Sequence, residues 1–550
     1  MMAAPDADRR ASGFEWLVAT LVVVATGVVS TWPLATSPWL VPDHQDPLFS
    51  SWRLYQWTRN LVSGGAGGWF SGNQFHPAPD VLLYSDAIPL QALIGAPFIL
   101  LGAPVVLVYN GLVWLTIVSA GLAMYACARY LSRSHFGSLV AAMMFVGAPL
   151  RLDHVMHLEL LSTAFLPLAI LATARAFDGG VRAAWATGAT LAGQFLSCIY
   201  YGVYLFTLWP LVAGTEWLRR RGQVARPILW RMAGGLVVAA VVAGAYALPY
   251  QRARSTVGDR SDRDVEIYSG PFSSFVLSPP MNRLWGWTSG AAESERWLFP
   301  GLVGSALAVS AITTPAAPWV GALAITAVVS ADAARGTYGV TYPILRVVAP
   351  PYKGLRVAAR FGMITLTALS LLAAIGCGTM TRAFGARPRA GVLAALVLAL
   401  MGVEYSANVV VRRMPRRPPP VYTFLGLLPP TVIAHAPMPR PQNLPGFEAD
   451  FIYFGQYHRH TLINGNSGFY PPAYLRLISR ARDLRNEDAI PSLRRAGVEF
   501  LLVHQRYYEY PSLYANTIFV LEQRRDLEPV GTYRDEEGRG EVRVYRVLRD

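Results

Sequence analysis

Two neighbouring stretches decide the fold: residues 14–32, FEWLVATLVVVATGVVSTW, and residues 41–57, VPDHQDPLFSSWRLYQW. The first is apolar over the roughly 18 to 20 residues a helix needs to cross hydrocarbon. The second places Asp43, His44 and Asp46 where that helix has just ended. Comparable apolar runs recur along the first three quarters of the chain, among them VVLVYNGLVWLTIVSAGLAMYACA and MAGGLVVAAVVAGAYALPY. With 53% hydrophobic and only 15% charged residues over 550 positions, the chain carries more apolar surface than a soluble core needs. The reading is a polytopic α-helical membrane protein.

Cys127, Cys198 and Cys377 all fall inside apolar segments, where a thiol behaves as a small buried hydrophobe, and no disulfide framework or zinc motif is indicated. The net charge of +14 is carried almost entirely by arginine, since Lys353 is the only lysine. Its distribution along the chain speaks for membrane orientation and against nucleic acid as a partner. That arginine usage, with abundant Ala, Val, Gly and Pro, has the composition of a GC-rich bacterial genome. Arg9 and Arg10 precede an apolar run too long for a signal-peptide core, so an uncleaved first helix is expected.

Loops kept in the cytoplasm are enriched in Lys and Arg. Arg9 and Arg10, Arg129 and Arg133, Arg175 and Arg182, the group Arg219, Arg220, Arg221, Arg226 and Arg231, and Arg382, Arg387 and Arg389 can all lie on one side. This requires about eleven crossings: 14–36, 105–131, 137–151, 159–176, 184–201, 203–218, 229–249, 298–313, 317–331, 358–380 and 390–411. The amino terminus is then cytoplasmic and the carboxyl end lies outside the inner (cytoplasmic) membrane. Residues 37–104 form a first outer loop with short interfacial helices, QALIGAPFILLG (91–102) among them, and 251–297 form a second outer loop. Arg346, Lys353, Arg356 and Arg360, and the cluster Arg412, Arg413, Arg416 and Arg417, fall on the wrong side for this rule.

Residues 1–411 therefore read as a transmembrane domain. RRMPRRPPPVY is a stiff Pro-rich linker, and residues 412–550 read as an extracytoplasmic soluble α/β domain, with VEFLLV and EVRVYRVL as strands and 472–496 helical.

Polar groups collect on the outer face: Asp43, His44, Asp46, His76 and Asp86 in the first loop, then RLDHVMHLELL with Asp153, His154, His157 and Glu159, then Tyr200 and Tyr201. Singly, each has a plain role as a helix cap or a solvated helix end. Together they suit a cavity. His154 and His157 at i, i+3 share a face if that turn is helical, and with Glu159 or an aspartate they form a divalent-metal candidate; binding phosphate or capping the loop is the alternative. GGAGG (64–68) lacks the Lys-Ser/Thr of a phosphate loop, GCG (376–378) lacks a preceding strand, and no Gly-x-Ser-x-Gly element occurs.

The stretches PDHQDPLFSSWRLYQW and NQFHPAPDVLLYSD resemble the GT-C superfamily of membrane glycosyltransferases, as do FVGAPLRLDHVMHLELLSTAFLPLAILA, PPYKGLRVAARFGMITLTALSLLAAIG and the tail elements HTLINGNSGFYPPAYLRL and LRRAGVEFLLVH. The resemblance implies a hexosyl- or pentosyltransferase, inverting, that takes a sugar from a polyprenyl-phosphate donor to a glycan or lipid acceptor of the cell envelope. It implies an aspartate of the first outer loop as general base, which falls on Asp43 or Asp46. The other outer-face groups are then candidates for holding substrate: His44, His76, Asp86, Glu159, Tyr200 and Tyr201, with Arg356, Arg360, His154 and His157 meeting the leaving phosphate. No nucleotide cofactor is expected, and metal dependence stays open. The competing readings are a lipid or polysaccharide transporter, which would place ionisable groups at the bilayer midplane, and a catalytically silent scaffold.

Overall fold

The computed structural model describes residues 11–292, 294–313, 317–384, 388–535 and 540–549, without the side chains of 256, 257, 381–384 and 388–390. Arg9, Arg10 and Arg387, used above for orientation, lie outside the described residues, as do the side chains of Arg382 and Arg389. The chain forms two compact units: Met1–Pro38 with Gly111–Leu248 and Asp259–Val411, and Trp39–Asn110 with Pro249–Gly258 and Arg412–Asp550.

The first unit is helical. Among the described residues, six helices of the chain are long and apolar enough to cross a membrane: Gly13–Ser30, Val105–Ser132, His135–Leu152, Leu158–Phe177, Arg226–Ser255 and Ala358–Met380. Four shorter apolar helices, Pro89–Leu100, Leu302–Thr313, Val320–Ala334 and Gly391–Glu404, accompany them. The first of these four is the short Pro-containing helix expected in the first loop. Helix Gly13–Ser30 begins at a capping box in which Ser12 and Glu15 satisfy each other's backbone N–H groups. Small residues let helices approach closely: a Cβ on Gly188 would sit 2.0 Å from the Gly235 carbonyl oxygen, and one on Gly137 would sit 2.5 Å from that of Ala374. Over its most apolar 18 residues the span Ala358–Met380 has 94% of its residues buried, whereas Arg226–Ser255 has 22%. One helix is therefore the centre of the bundle and the other its apolar rim.

The second unit holds helix Gln45–Val62, the rest of the first loop and a five-stranded sheet. Its strands are β1 (Val432–Ala436), β2 (Thr461–Leu462), β3 (Phe500–His504), β4 (Leu527–Arg534) and β5 (Glu541–Val547), in the spatial order β2-β1-β3-β5-β4. β1 runs parallel to β2 and to β3, and β5 runs antiparallel to β3 and β4. Every residue of β3 is buried, as a central strand covered on both faces requires, while β4 at the edge buries only Leu527. Helices Pro472–Ala481 and Ala489–Arg495 occupy the stretch expected to be helical. First-loop residues extend the sheet beyond β2: Leu462 N–H donates to the Asn73 carbonyl at 2.7 Å, and His76 N–H donates to the Leu462 carbonyl at 3.0 Å.

Candidate functional site

Helix His135–Gly147 gives way to a short turn of helix, Pro149–Leu152, and the chain then folds back toward helix Phe165–Phe177. Arg151, buried in this reversal, donates to Thr163 Oγ1 at 2.8 Å and to the Leu161 carbonyl at 3.2 Å. The reversal is thereby closed by a guanidinium, and it presents Asp153 and His154 on its inner side. The turn is not the continuous helix that the His154/His157 spacing would need. His157 N–H donates to the His154 carbonyl, and the two rings still lie 6.4 Å apart.

Asp153 holds a distant loop. Its carboxylate accepts from Ser294 Oγ at 2.9 Å and from the Glu295 backbone N–H. Glu295 has φ 71°, a left-handed conformation that is costly for a non-glycine residue and that a tight carboxylate clamp can maintain. The Glu295 carboxylate is forked by Arg360, whose Nε lies 3.1 Å from each oxygen and whose Nη2 makes a second contact. Arg360 leaves a 3₁₀ turn, Ala358–Phe361, just before the central helix, and its guanidinium stacks 4.4 Å from the Tyr200 ring centroid. Tyr200 Oη in turn accepts from the Arg356 N–H at 3.2 Å, and the Arg356 guanidinium lies over Tyr268. Tyr201 is fully buried among Arg151, Glu295 and Arg360.

Asp153, His154 and Glu295 each bring a ligating atom within 4.8 Å of the others, and all three are buried. His154 Nδ1 lies 3.8 Å from Glu295 Oε2 and has no hydrogen-bond partner among the described residues. Burial, and then the Glu295 charge, push the Asp153 carboxyl up to about 6. Burial pulls His154 down to about 3, which keeps it neutral. Burial also works against ionised Glu295, yet the Arg360 guanidinium holds its carboxyl down to about 2. Two carboxylates and one neutral imidazole with an orphan nitrogen thus make a donor set that fits a divalent cation.

The second unit holds the remaining expected site residues. Asp43 and His44 are exposed; His44 caps helix Gln45–Val62, its Nδ1 accepting from the Asp46 N–H at 3.4 Å and lying 2.6 Å from Asp46 Oδ2. His76 is half-buried, its imidazole shifted downward by burial, and its backbone belongs to the sheet extension. Asp86 offers its carbonyl to the fully buried Arg53 at 2.5 Å, and its Oδ1 lies 3.4 Å from the Ile88 N–H. That geometry makes Arg53 and Asp86 a loop fastening.

The structure therefore gathers His154, Tyr200, Tyr201 and Arg360 around one buried cluster, with Arg356 attached through Tyr200 and His157 beside His154. Glu159 is buried in the short helix Leu158–Leu161, outside the metal-competent trio. Glu295 escaped the sequence reading because it stands in ESERW, one acid in a charged loop, with nothing local to distinguish it. Asp153 was in view in LDHVMH but had no visible partner.

No family model matches the chain, and no curated protein matches it. Among solved structures, the mycobacterial arabinofuranosyltransferase AftD superposes with a TM-score of 0.60 at 14% identity, over 98% of this chain and 42% of that one. The archaeal oligosaccharyltransferase AglB from Archaeoglobus fulgidus, solved with an inhibitory peptide and a dolichol-phosphate, gives 0.48 at 12% identity, over 89% and 69%. ArnT from Cupriavidus metallidurans gives 0.42 at 12%, over 97% and 98%. The chain is a multi-pass membrane protein with the GT-C fold. It spans less than half the length of the arabinofuranosyltransferase it superposes on.

Proposed function

We propose that the protein is a glycosyltransferase that moves a sugar from a polyprenyl-phosphate-linked donor to a cell-envelope or lipid-linked acceptor at the outer face of the cytoplasmic membrane. The observation that carries this reading is the superposition of nearly the whole chain on a mycobacterial arabinofuranosyltransferase. The buried Asp153–His154–Glu295–Arg360 cluster supports it, because such concentrated buried charge in a membrane protein is costly unless it serves a site.

In the proposed step the acceptor hydroxyl oxygen attacks the anomeric carbon, and its proton passes to the carboxylate of Asp43 or Asp46. The bond between that carbon and the phosphate oxygen breaks, the phosphate leaves with the electron pair, and the configuration inverts. Positioned proton removal of this kind contributes roughly 10² to 10⁴ in rate. Arg360 is already engaged by Glu295, so Arg356 and His157 are assigned to the phosphate. Asp153, His154 and Glu295 would hold a divalent cation, which when bound supplies a positive charge for the leaving phosphate.

The test is sugar transfer by the purified full-length protein from a panel of polyprenyl-phosphate pentoses and hexoses, comparing wild type with Asp43→Asn and Asp46→Asn, each with and without chelator. One of the two substitutions should lower turnover by at least about a hundredfold. Intact transfer in both would remove the general-base assignment. No transfer from any donor, together with substrate flux in sealed vesicles, would establish the transporter instead. Labelling of a cysteine at position 46 only from the cytoplasmic side would end the outer-face reading.

A further inference from the structure

The acid-bearing helix of the first loop, Gln45–Val62, is fastened to the C-terminal segment at two separate places within the second unit. At its start, Gln45 Oε1 accepts from the Ala449 N–H at 3.2 Å. Ala449 lies in the first turn of helix Glu448–His458, whose own N-cap residue, Phe447, supplies no side-chain bond. Gln45 therefore satisfies one of the N–H groups that every helix start leaves without an intrahelical partner. Further along, Trp52 Nε1 donates to Asn73 Oδ1 at 2.8 Å, and Asn73 Nδ2 donates to the His460 carbonyl at 3.0 Å. Trp52 and Asn73 are both buried, so each of these bonds is made where water does not compete. Asn73 also begins the bent segment whose backbone bonds to β2, and a Cβ on Gly455 would come within 3.0 Å of Asn73 Nδ2. The helix and the C-terminal segment thus meet through two polar anchors and a close backbone approach.

Gln45 stands between His44 and Asp46, one residue from the helix cap. Any looseness at that anchor is transmitted directly to the two acids. We infer that the C-terminal segment positions Asp43 and Asp46, with Gln45 and Asn73 as the positioning residues, so that the segment is part of how the acids are aimed. The inference rests on the general-base reading given above for its consequence in rate, and on geometry alone for the anchoring.

The test uses the full-length protein in lipid nanodiscs and two readouts: amide hydrogen exchange over residues 43–48, and transfer kinetics with a polyprenyl-phosphate pentose and a polyprenyl-phosphate hexose. Gln45→Leu should speed exchange over 43–48 by about tenfold, the change one lost hydrogen bond allows, and should lower kcat to a similar degree. KM for the donor should stay within about twofold, because positioning and not binding is lost. Gln45→Glu keeps an acceptor oxygen toward Ala449 and should restore both readouts. Asn73→Ser serves as the second variant, shortening the bridge between Trp52 and His460 at an independent point; it should speed exchange along the middle of the helix. Unchanged exchange in Gln45→Leu overturns the anchoring, and faster exchange with unaltered kcat overturns the positioning role. Full activity in both Asp43→Asn and Asp46→Asn is a separate outcome that sinks the general-base reading and leaves the exchange result standing.

Discussion

The two acidic sites singled out above, one in each unit, hold their carboxylates in opposite ways. In the helical unit, Asp153 and Glu295 are buried, and each is held by specific donors: Ser294 and a backbone N–H for one, a forked guanidinium for the other. In the second unit, Asp43 is exposed and Asp46 leans on the exposed His44 that caps its helix. Buried charge must be neutralised where it stands, whereas a loop acid can rely on water and on the helix dipole. The first arrangement is preorganised at a cost in desolvation; the second avoids that cost and takes its aim from the Gln45 anchor. A base that must give and take protons suits the second environment, and a site that must hold concentrated charge suits the first.

The contrast can be broken most severely at Arg360. Arg360→Met leaves Glu295 buried and uncompensated, a loss of about 3 to 5 kcal/mol. The unfolding midpoint of the full-length protein in detergent should drop accordingly, and the double variant Arg360→Met/Glu295→Met should recover most of it. A midpoint unchanged by the single variant would mean that the buried cluster is not preorganised by that pair.

A second effect, smaller for each residue, lies in the sheet domain, where His435, His458 and His504 are buried, with His435 Nδ1 2.9 Å from His504 Nε2. Burial pulls all three imidazoles below the usual histidine range, to about 3 for His458 and His504. The unfolded chain then binds protons that the folded domain refuses, so stability falls as pH drops below about 6.5. The loss should reach about 2 kcal/mol per histidine near pH 5. Glu448 acts in the other direction: burial pushes it up to about 8, against its hydrogen bonds from Asn464 and Gly465, so its contribution is full in acid and fades as pH rises toward 8. Hydrogen-exchange protection of β1 and β3, corrected for intrinsic rates, should therefore peak near pH 6.5. Replacing His504 with Gln should flatten the acid side, and an unaltered acid slope would exclude the buried imidazoles as its cause.

The smallest effect is expected at the exposed acids. His44→Ala removes an exposed helix cap worth about 1 kcal/mol, and it should loosen residues 45–48 in hydrogen exchange without moving the global midpoint. A global destabilisation would show that the first-loop start is as built-in as the buried cluster, and the contrast between the two acidic sites would disappear.

Much of this was readable in the sequence. Long apolar runs marked the spans, because length and hydrophobicity are local properties that the bilayer tests directly. Alternation in EVRVYRVL and the apolar run VEFLLV marked strands β5 and β3, while β1, β2 and β4 were too short or too irregular to stand out. The fold brings His154, Tyr200, Tyr201 and Arg360 together around one cluster and leaves Glu159 outside the Asp153–His154–Glu295 trio, because spacing along a chain is a poor guide once the turn between His154 and Leu158 leaves the helix.

What the sequence determined by itself was therefore the class of protein and the side-chain types available to its sites, since composition and periodicity need only near neighbours. Only the tertiary structure decided that Asp153 clamps a residue 142 positions away, that Glu295 takes Arg360 as its counter-ion across 65, and that one apolar helix lies at the centre of the bundle while another of similar character lines its rim. Each of those is a contact of high sequence separation, made specific by shape and by the cost of leaving a buried charge unpaired, and neither quantity is written in any local stretch of the chain.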